Sequence, residues 1–406
     1  MNPPLERRRL LLVSYQSRPN GAARMLFNVV KHLDRERFDP LVVFNDWGLI
    51  VPEFEALCPV RVLGADYAWL PDRLRPAVRR VIRRRKLRQI SESFAPDLIY
   101  LNTMTWSEAA EWTLSQSTPL VVHFHEIGAT IAGSGMEWAQ KLTRKSSVTI
   151  GCAEAVSSFV ISCLDADPAR VRTVATSVDF KELVARPRAS RAQARSSIGI
   201  GEDVLLVGAV GEPSFRKGVD LFIEAAAEIR LMLAPREVHF AWVGGVQSIH
   251  ETPFVRAAHR RVERLNLQDC FHWVQERADP SSLQAAMDVY VVSSREDPMP
   301  LGMLESLALG TPVVAFAVSG IPEALGNGVG ELVDRVSADH LARAVANLLR
   351  DEERRTEYGR LGPVRVAESY DIVKNVVGIE TALDSAADAG SRQSLSSYPA
   401  AWKLVG

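Results

Sequence analysis

The chain has 406 residues, 47% of them hydrophobic, which is enough to bury two cores of roughly 180 residues each. Its 48 basic and 49 acidic residues nearly cancel, so the composition excludes a global field that would attract nucleic acid. The four cysteines are scattered without paired spacing, which indicates reduced thiols in a cytoplasmic protein and argues against a disulfide framework or a zinc site.

The apolar run at residues 10–13 is too short for a secretion signal. Three arginines precede the four apolar residues 10–13, but Ser14 ends this run before it reaches the length of about seven that a signal requires. No later run approaches the roughly 18 residues of a membrane-spanning helix. We therefore expect residues 10–14 to form a buried strand, in a protein that is cytoplasmic or peripheral on the inner membrane face.

Short β-branched and leucine-rich runs alternate with helical patterns along the whole chain, which predicts two α/β units with parallel sheets. In the first half, a helix is expected to begin near Gly21, and the predicted strands are residues 10–14, 40–44, 97–101, 119–123, 147–151 and 171–175. In the second half, helices are expected at 338–349 and 373–383, and the predicted strands are residues 203–210, 237–243, 270–274, 288–292, 312–316 and 330–333.

This alternation predicts two domains and a short C-terminal extension. We place the N-terminal domain at residues 1–183 and the C-terminal domain at 184–370, because strand character gives way there to a polar, arginine-rich stretch. Residues 371–386 are expected to form a terminal helix. Residues 387–406 are rich in Ser, Ala and Gly and are expected to be a mobile tail.

The most informative loop follows the predicted strand 288–292. Parallel α/β sheets bind ligands at the carboxyl ends of their strands. Asp297 lies in this loop, and Glu305 lies about one turn inside the helix predicted after it. A carboxylate accepts two hydrogen bonds, which suits the paired hydroxyls of a ribose or a hexose, and the alternative is a helix cap followed by a solvated glutamate. Backbone amides at the helix start could hold a further anionic or hydroxylated group, at Met299, Pro300, Leu301 and Gly302.

The passage SSREDPMPLGMLESLALGTPVVAF, residues 293–316, resembles the signature of the family 4 glycosyltransferases. In that signature an acidic residue, seven others and a glutamate precede a Gly-Thr-Pro-Val-Val strand. Asp297 and Glu305 have this spacing, although the first acid is usually Glu and Glu296 stands beside Asp297 as a rival. The resemblance implies that Glu305 binds the donor ribose and that the first acid, with its neighbouring amides, holds the sugar.

The loop after the strand 203–210 carries fixed positive charge. Arg216 and Lys217 are what a leaving diphosphate needs as negative charge accumulates on oxygen, although a solvated surface pair is the alternative. Lys217 followed by glycine resembles the phosphate-binding Lys-Gly of the family, and Gly211 resembles the glycine at the start of its loop. The family often has an arginine after that glycine, where this chain has Glu212, and Arg216 is the candidate replacement.

Two loops of the N-terminal half also resemble the family. Gly21, at the start of the first helix, permits close backbone approach to a phosphate and resembles the glycine loop that the family points at the donor phosphate. A simple turn is the alternative. His125 and Glu126 resemble a His-acid pair that the family places in its cleft, where an imidazole bonds a sugar hydroxyl or the reacting oxygen. A structural histidine is the alternative, and His123 is the weaker candidate.

Two turns of the C-terminal half resemble the family's glycine turns near the donor, and they add Glu323 and Gly244 to the donor-binding candidates. Either could be only a tight turn. The sequence Asp165-Ala166-Asp167 imitates the metal-binding Asp-x-Asp of a different glycosyltransferase fold. Because it precedes a proline in a connection between elements, we expect no metal site.

Residues 73–88 form the most basic stretch of the chain. Nine of these sixteen residues are Arg or Lys, with apolar residues at helical spacing between them. Such a basic amphipathic helix can lie on an anionic membrane face or attract an anionic acceptor. The alternative is a solvated helix with one buried stripe.

Taken together, the resemblance implies the GT-B fold, in which two Rossmann-like domains with parallel sheets face a central cleft. It implies transfer of a hexose or N-acetylhexosamine from a nucleoside diphosphate sugar, UDP- or GDP-linked, to an acceptor hydroxyl with retention of configuration. It also implies no metal and no cofactor beyond the donor. A catalytically silent nucleotide-sugar-binding protein is the alternative, and a nicotinamide-dependent oxidoreductase is disfavoured because neither sheet carries the glycine fingerprint.

Overall fold

The computed structural model describes residues 7–15, 17–18, 20–64, 75–104, 107–245, 252–275, 280–326 and 328–396. The chain divides into two compact units. The N-terminal unit consists of Met1–Ala175 together with Ile372–Gly406, and the C-terminal unit consists of Thr176–Asp371. No helix within the described ranges combines the length and the apolar composition needed to cross a membrane.

The N-terminal unit is built on a parallel sheet in the order β3-β2-β1-β4-β5-β6-β7. Its strands are Arg8–Ser14 (β1), Phe38–Phe44 (β2), Val60–Val62 (β3), Leu98–Asn102 (β4), Leu120–Phe124 (β5), Val148–Gly151 (β6) and Val171–Thr173 (β7). Its first helices are Gly21–His32 (α1), Val51–Glu55 (α2), Arg75–Phe94 (α3), Ser107–Leu114 (α4), Gly128–Ser134 (α5), Met136–Lys145 (α6) and Glu154–Cys163 (α7).

The C-terminal unit repeats this plan with a parallel sheet in the order β10-β9-β8-β11-β12-β13. Its strands are Leu205–Val210 (β8), Val238–Val243 (β9), Phe271–Val274 (β10), Val289–Val292 (β11), Val313–Phe316 (β12) and Glu331–Val333 (β13). Its helices are Phe180–Ala185 (α8), Arg191–Ser196 (α9), Val219–Leu233 (α10), Pro253–Arg264 (α11), Ser281–Ala286 (α12), Leu301–Ala308 (α13), Ile321–Leu325 (α14), Ala338–Arg350 (α15) and Glu352–Ser369 (α16).

Both sheets have their strands buried on two faces, which explains why the strands read as continuous apolar runs. Strand β1 is buried from Leu10 onward, and strands β4, β5, β6, β11 and β12 are buried throughout. All twelve strands expected from the sequence are present. Strand β3 was not expected, because its three residues at the edge of the sheet, two of them half-buried, are too few to form a recognisable run.

Strand order reverses once in each sheet, between β1 and β4 in the first and between β8 and β11 in the second. At such a reversal the loops leaving the two neighbouring strands diverge, which opens a crevice at their carboxyl ends. The loops after β1, β4, β8 and β11 therefore occupy the places where a parallel α/β sheet binds ligands. They include the glycine loop of the first half and both charged loops of the second.

The last helix, Ile372–Ser396 (α17), belongs to the N-terminal unit. It packs on α1, β5 and β6, and its buried face contributes Ile372, Val376, Ile379 and Leu383 to the same core. The expected mobile tail at 387–406 is therefore wrong for residues 387–396, since alanine and serine are tolerated in a helix that is already anchored by packing. Residues 397–406 lie outside the described ranges. The division between the units falls at 175/176 and 371/372, against the expected 183/184 and 370/371.

Candidate active site

The charged loops of the C-terminal unit meet at the strand reversal between β8 and β11. The Nζ of Lys217 donates to Oδ2 of Asp297 at 2.5 Å, and the hydroxyl of Ser294 donates to the same oxygen at 3.2 Å. The guanidinium of Arg216 lies 3.8 Å from it. Asp297 is buried, whereas Lys217 and Arg216 are partly exposed. The structure thus brings together one buried carboxylate and two cations where the loops after β8 and β11 meet.

The loop that carries Lys217 is held against the loop after β11 by backbone contacts. Gly218 has φ of +68°, and a Cβ at this position would lie 1.9 Å from the carbonyl oxygen of Ser293. The hydroxyl of Ser293 donates to the Lys217 carbonyl at 3.0 Å, and the amide of Arg295 donates to the Arg216 carbonyl at 2.8 Å. Only glycine fits at position 218, and this close contact fixes the position of the adjacent Lys217 relative to the loop after β11.

A second ion pair stiffens the same loop from outside. The guanidinium of Arg295 binds both carboxylate oxygens of Asp220, at 2.7 and 2.8 Å, and lies 3.9 Å over the ring of Phe215. Burial opposes ionisation of Asp220, but the hydrogen bond and charge of Arg295 outweigh it and lower the pKa of this carboxyl. Because Arg295 is paired with Asp220, it does not compete with Arg216 and Lys217, which are the two cations that lie beside Asp297.

Asp297 rather than Glu296 faces the lysine. Arg216 donates to the backbone carbonyl of Glu296 at 3.0 Å, which fixes the chain direction at this point, and the Glu296 side chain is half-buried. Glu212, which stands where an arginine was expected, is exposed. The geometry therefore singles out Asp297 as the acid that is paired with the cations.

The predicted glycines at the strand ends allow close backbone approach. Gly211 has φ of +150° and Gly244 has φ of +120°, and a Cβ on Gly244 would lie 3.0 Å from the Gly211 carbonyl. That carbonyl also accepts the indole N–H of Trp242 at 2.9 Å. The two glycines therefore serve the packing of the β8 and β9 ends against each other, and their contact with a donor remains a prediction.

Helix α13 presents available backbone donors at its start. Its cap residue is Pro300, which has no side-chain acceptor, and within the described residues no protein acceptor meets the amides of Leu301 and Gly302. Pro300 itself carries no N–H, so the expected group of amides is corrected to Met299, Leu301 and Gly302. Met299 is buried. Negative charge is favoured at such a helix start.

Glu305 lies in the second turn of α13 and is half-buried. Two buried polar groups that sequence reasoning missed lie beneath this turn. Gln284 donates to the Gly302 carbonyl at 3.0 Å and to Oε2 of Glu305 at 3.4 Å. Burial, and then the charge of Glu305, raise the pKa of Tyr290, whose hydroxyl lies 2.6 Å from where a Cβ on Gly302 would stand. A glutamine inside the apolar run 283–287 was the available signal.

Glu323 lies in the first turn of the short helix α14, where its backbone carbonyl accepts hydrogen bonds from Arg365 at 2.7 Å and from the Tyr370 hydroxyl at 3.0 Å. These contacts tie the turn to helix α16. Ser319, at the turn before it, has φ of +50°, a left-handed conformation that favours glycine. The structure fixes the position of the turn, and the predicted role of Glu323 toward a donor remains a prediction.

In the N-terminal unit, Gly21 is the first residue of α1 and is exposed. The side chain of Asn20 caps the helix by accepting from the amide of Ala23 at 3.0 Å. One of the first amides of this helix is therefore already satisfied by the protein. A phosphate contact at Gly21 remains a prediction.

His125 lies at the carboxyl end of β5, beside the reversal between β1 and β4. Its Nε2 is 2.9 Å from Oδ1 of Asn102, and its ring lies 4.0 Å from the ring of His123. Burial lowers the pKa of His125 to about 3, so the ring is neutral at pH 7. Since Asn102 offers an oxygen, the neutral ring donates through Nε2 and presents Nδ1 as an acceptor. Such a ring can accept the proton of a hydroxyl in a hydrogen bond.

His123 is a core residue. Its side chain is fully buried, and its Nδ1 lies 2.5 Å from the Tyr100 hydroxyl. Burial, and then the charge of His125, lower the pKa of His123 well below its ordinary range. Glu126 binds the hydroxyl of Thr103, a β-branched residue held at φ of +78°. A strained residue beside the neutral histidine pair is typical of a functional site.

Two features that resembled sites have structural partners. Asp167 accepts from the amide of Ala169 at 3.0 Å, and Asp165 pairs with Arg144 at 3.1 Å on the surface. In the basic stretch, residues 73 and 74 lie outside the described ranges. Within α3, Arg80, Arg83 and Arg84 bind carboxylates of the same unit, at Asp46, Glu108 and Glu111. Part of the positive charge of this helix is therefore neutralised by ion pairs within the N-terminal unit.

Comparison with protein families gives two matches that together cover most of the chain. Residues 190–363 match the family described as glycosyl transferases group 1, and residues 19–182 match glycosyltransferase family 4. Among curated proteins, the chain is 29% identical over 272 residues to D-inositol 3-phosphate glycosyltransferase 2 of Catenulispora acidiphila, covering 63% of this chain and 61% of that protein. It is 35% identical over 197 residues to D-inositol 3-phosphate glycosyltransferase of Mycolicibacterium paratuberculosis, covering 47% and 42%. The chain thus spans about half the length of these relatives.

Solved structures show the same fold. Anabaena HepE in complex with UDP and glucose superposes with a TM-score of 0.78 at 22% identity, covering 93% of this chain and all of that chain. Sucrose-phosphate synthase from Thermosynechococcus elongatus superposes with a TM-score of 0.76 at 18% identity, covering 92% and 98%. At these identities the likeness extends to the fold alone, which is GT-B with two Rossmann-like units.

Proposed function

The chain belongs to the group 1, family 4 glycosyltransferases, and on that premise we propose that it moves a hexose or N-acetylhexosamine from a nucleoside diphosphate sugar to an acceptor hydroxyl. In this proposal the C-terminal unit binds the donor and the N-terminal unit binds the acceptor. The observation that carries it is the pairing of Lys217 with Asp297 at a strand reversal, beside the open helix start of α13.

The charges of this site suit departure of a diphosphate. Lys217 and Arg216 offer cations to the developing negative charge, and the amides of Leu301 and Gly302 offer neutral donors. Glu305 is proposed to hold the ribose hydroxyls, and Asp297 the sugar. We propose retention of configuration, with the bond from the sugar to the acceptor oxygen forming on the face that the diphosphate leaves. The departing phosphate oxygen takes the acceptor proton, so no protein nucleophile is required.

Comparisons suggest which substrates to test first. HepE was solved with UDP and with UDP-glucose, so UDP sugars are the first donors and GDP sugars the second. The curated relatives are named for D-inositol 3-phosphate, so a phosphorylated cyclitol is the first acceptor to test. His125, which is neutral and carries an available ring acceptor, is proposed to bind the reacting hydroxyl.

We also propose that transfer needs no divalent metal, because Lys217, Arg216 and the amides of α13 supply the positive charge that a metal otherwise provides. The expected measurement is full transfer in excess EDTA. Loss of transfer in EDTA, with recovery on adding Mg²⁺ or Mn²⁺, would show that a metal takes part.

The decisive experiment measures donor binding and donor cleavage separately. Calorimetric titration with UDP, GDP, ADP and TDP is expected to give tight binding of one of them, and the cognate sugar donor is expected to be slowly hydrolysed without acceptor. Binding without any hydrolysis or transfer would instead support the silent binding protein.

Replacing Glu305 tests the donor assignment directly. Glu305→Ala is expected to abolish transfer at an unchanged melting temperature, because the ribose hydroxyls lose their acceptor. Glu228→Ala is the matched control that keeps activity, since Glu228 is also a half-buried glutamate but lies in the third turn of α10. Full activity of Glu305→Ala would disprove the donor assignment.

Peripheral contact of α3 with an anionic membrane remains a proposal. It now rests on the basic side chains of α3 that, among the described residues, are not paired with carboxylates of the same unit. Arg79, Arg85 and Arg88 are exposed, and Val81 between them is 68% exposed. Each basic side chain near an anionic surface adds roughly 1 kcal/mol of attraction. Sedimentation with vesicles containing anionic lipid is expected to fall when Arg85 and Arg88 are replaced by Gln, and unchanged sedimentation would exclude this face.

A further inference from the structure

We infer that Gln284 is a positioning residue of the donor site, which fixes the orientation of the Glu305 carboxylate from beneath the start of α13. The inference rests on the proposed role of Glu305 in donor binding. Gln284 lies in the short helix α12, and its side chain is fully buried. It therefore acts through other residues and has no direct access to a ligand.

The side-chain N–H groups of Gln284 both point to acceptors in the first two turns of α13. Its Nε2 lies 3.0 Å from the Gly302 carbonyl, 3.3 Å from the Ser306 hydroxyl and 3.4 Å from Oε2 of Glu305. Two N–H groups thus serve three acceptors that lie on one side of the same helix. The contact to Glu305 is the longest of the three, and its acceptor is a carboxyl oxygen, which forms stronger hydrogen bonds when ionised than a neutral acceptor does.

A packing role alone does not explain a glutamine at this place. Burying an amide is costly unless its polar atoms are paired, and Met or Leu would fill a similar volume without that cost. Moreover, Oε1 of Gln284 is buried with no partner in the described part of the chain. The structure therefore tolerates one unpaired acceptor in order to keep the N–H donors, which indicates that the donors matter.

The consequence for the site is a carboxylate with restricted rotation. A glutamate side chain has three rotatable torsions, and a donor held beneath Oε2 limits the last of them. Beneath the same turn, the buried Tyr290 lies so close to Gly302 that no side chain fits there. Tyr290 and Gln284 together hold the backbone of Gly302 and the head of Glu305 in one position. A diol that donates two hydrogen bonds to one carboxylate gains from that preorganisation.

The test replaces Gln284 by Met, which keeps the volume and removes the donors. We expect the Kd for UDP, or for whichever diphosphate binds, and the KM for its sugar donor to rise by about tenfold, while kcat changes by less than about threefold. Gln193→Met is the control, because the exposed Gln193 side chain closes the cap of helix α9 by accepting from the Ser190 amide. Its donor KM is expected to stay at the wild-type value. If Gln284→Met is unfolded at the assay temperature, Gln284→Asn replaces it, since the shorter arm withdraws the donors from Glu305.

A double-mutant cycle separates positioning from general stabilisation. If Gln284 acts through Glu305, then Gln284→Met adds less than about twofold to the loss of diphosphate affinity in Glu305→Gln. Full additivity, or a wild-type Kd and KM in Gln284→Met and Gln284→Asn, would overturn the inference. The proposed function fails differently, because it fails if the wild-type protein binds no nucleoside diphosphate. Binding that is weakened by Glu305→Gln but not by Gln284→Met leaves the function standing and removes only the role of Gln284.

Discussion

At the scale of single residues, the contact between Lys217 and Asp297 sets the electrostatics of the proposed donor site. The cation proposed for the diphosphate and the acid proposed for the sugar share one hydrogen bond of 2.5 Å. A diphosphate and Asp297 therefore compete for the same ammonium group. Each of the two anions weakens the electrostatic attraction between Lys217 and the other, because both interact with the same ammonium group.

Replacing Asp297 by Asn is expected to separate diphosphate binding from sugar transfer. The neutral amide of Asp297→Asn would no longer compete for Lys217, so the Kd for UDP should stay equal or tighten by up to about tenfold, while transfer falls by about 100-fold or more. Lys217→Met should weaken UDP by about tenfold or more. Calorimetric titration and initial rates measure both quantities. Weaker UDP binding in Asp297→Asn than in the wild type would contradict this competition.

Acidification is expected to destabilise the N-terminal unit through His125. Burial lowers its folded pKa to about 3, below the unfolded value of about 6.5, so the unfolded chain binds more protons between these two pH values. The free energy of unfolding therefore falls as pH falls below about 6.5, by no more than about 1.4 kcal/mol per pH unit from this group. His123, which is also shifted downward, adds to the same trend.

Urea unfolding at pH 7 and at pH 5 measures this effect. His125→Gln keeps a donor for Asn102 but cannot titrate, so it should lose less stability than the wild type between the two pH values. His32→Gln, in which a half-buried histidine in the last turn of α1 is replaced, is the control and should follow the wild type. Equal losses in the wild type and in His125→Gln would remove His125 as the cause.

The charged residues of the site are recognisable in the sequence, whereas the groups beneath them are much less so. The spacing of Asp297 and Glu305 and the Arg-Lys pair are visible in the sequence, and the structure brings Arg216, Lys217 and Asp297 together. The choice between Glu296 and Asp297 depends on the chain direction after β11, which the Arg216 contact fixes. Gln284 is visible in the sequence only as a glutamine inside an apolar run, and Tyr290 lies within a buried strand, so their roles depend on their three-dimensional contacts with α13.

At the scale of elements, the loop between β8 and α10 depends on one glycine. Gly218 combines a left-handed backbone with direct contact against the Ser293 carbonyl, and it is also the N-cap residue of helix α10. Any side chain there must move this loop away from the loop after β11. Lys217 would move with it, since the two residues are adjacent.

Gly218→Ala is therefore expected to destabilise the C-terminal unit by about 2 kcal/mol or more and to weaken UDP binding by at least about tenfold. Gly199→Ala is a matched control, because Gly199 also has a positive φ, +76°, but a Cβ there meets nothing within 4 Å. It should cost only the backbone strain of about 1–2 kcal/mol and leave UDP binding unchanged. Equal effects of the two substitutions on binding would show that the contact with Ser293 is unimportant.

Elements buried on both faces were predictable, and elements stabilised by distant contacts were less so. The twelve strands expected from the sequence are all present, because short continuous apolar runs in an α/β protein usually form strands that are buried on both faces. Helix α17 was expected to end near residue 386, yet it continues to Ser396. Arg8 and Arg37 pair with Asp384, and Arg37 also pairs with Glu380, so residues from the start of the chain hold the helix in place. No local pattern reveals such partners.

At the scale of the whole molecule, the two units differ in how the chain builds them. The C-terminal unit is one continuous segment, whereas the N-terminal unit is completed only when the chain returns as α17. Four large apolar residues of that helix, Ile372, Val376, Ile379 and Leu383, are buried in the core of the N-terminal unit. Burial of each contributes roughly 1.5–3 kcal/mol, and their sum is comparable to the total stability of a domain.

A fragment of residues 176–371 is therefore expected to fold alone and to bind UDP within about threefold of the full chain, whereas residues 1–175 alone should not fold cooperatively. Circular dichroism during thermal unfolding and calorimetric titration test both fragments. Adding residues 372–396 to the second fragment through a flexible linker should restore its cooperative transition. A stable fold of residues 1–175 without them would show that α17 is dispensable.

The entry and exit of the C-terminal unit lie side by side. The amide of Val178 donates to the Tyr370 carbonyl at 3.0 Å, and Val178 forms a parallel bridge with Asp371. A segment whose two ends are neighbours can be cut out and replaced without altering the distance that the flanking chain must span. Chimaeras can therefore be made by exchanging residues 178–370 for the equivalent segment of a relative. Such hybrids would show whether donor choice is inherited with one segment and acceptor choice with the other.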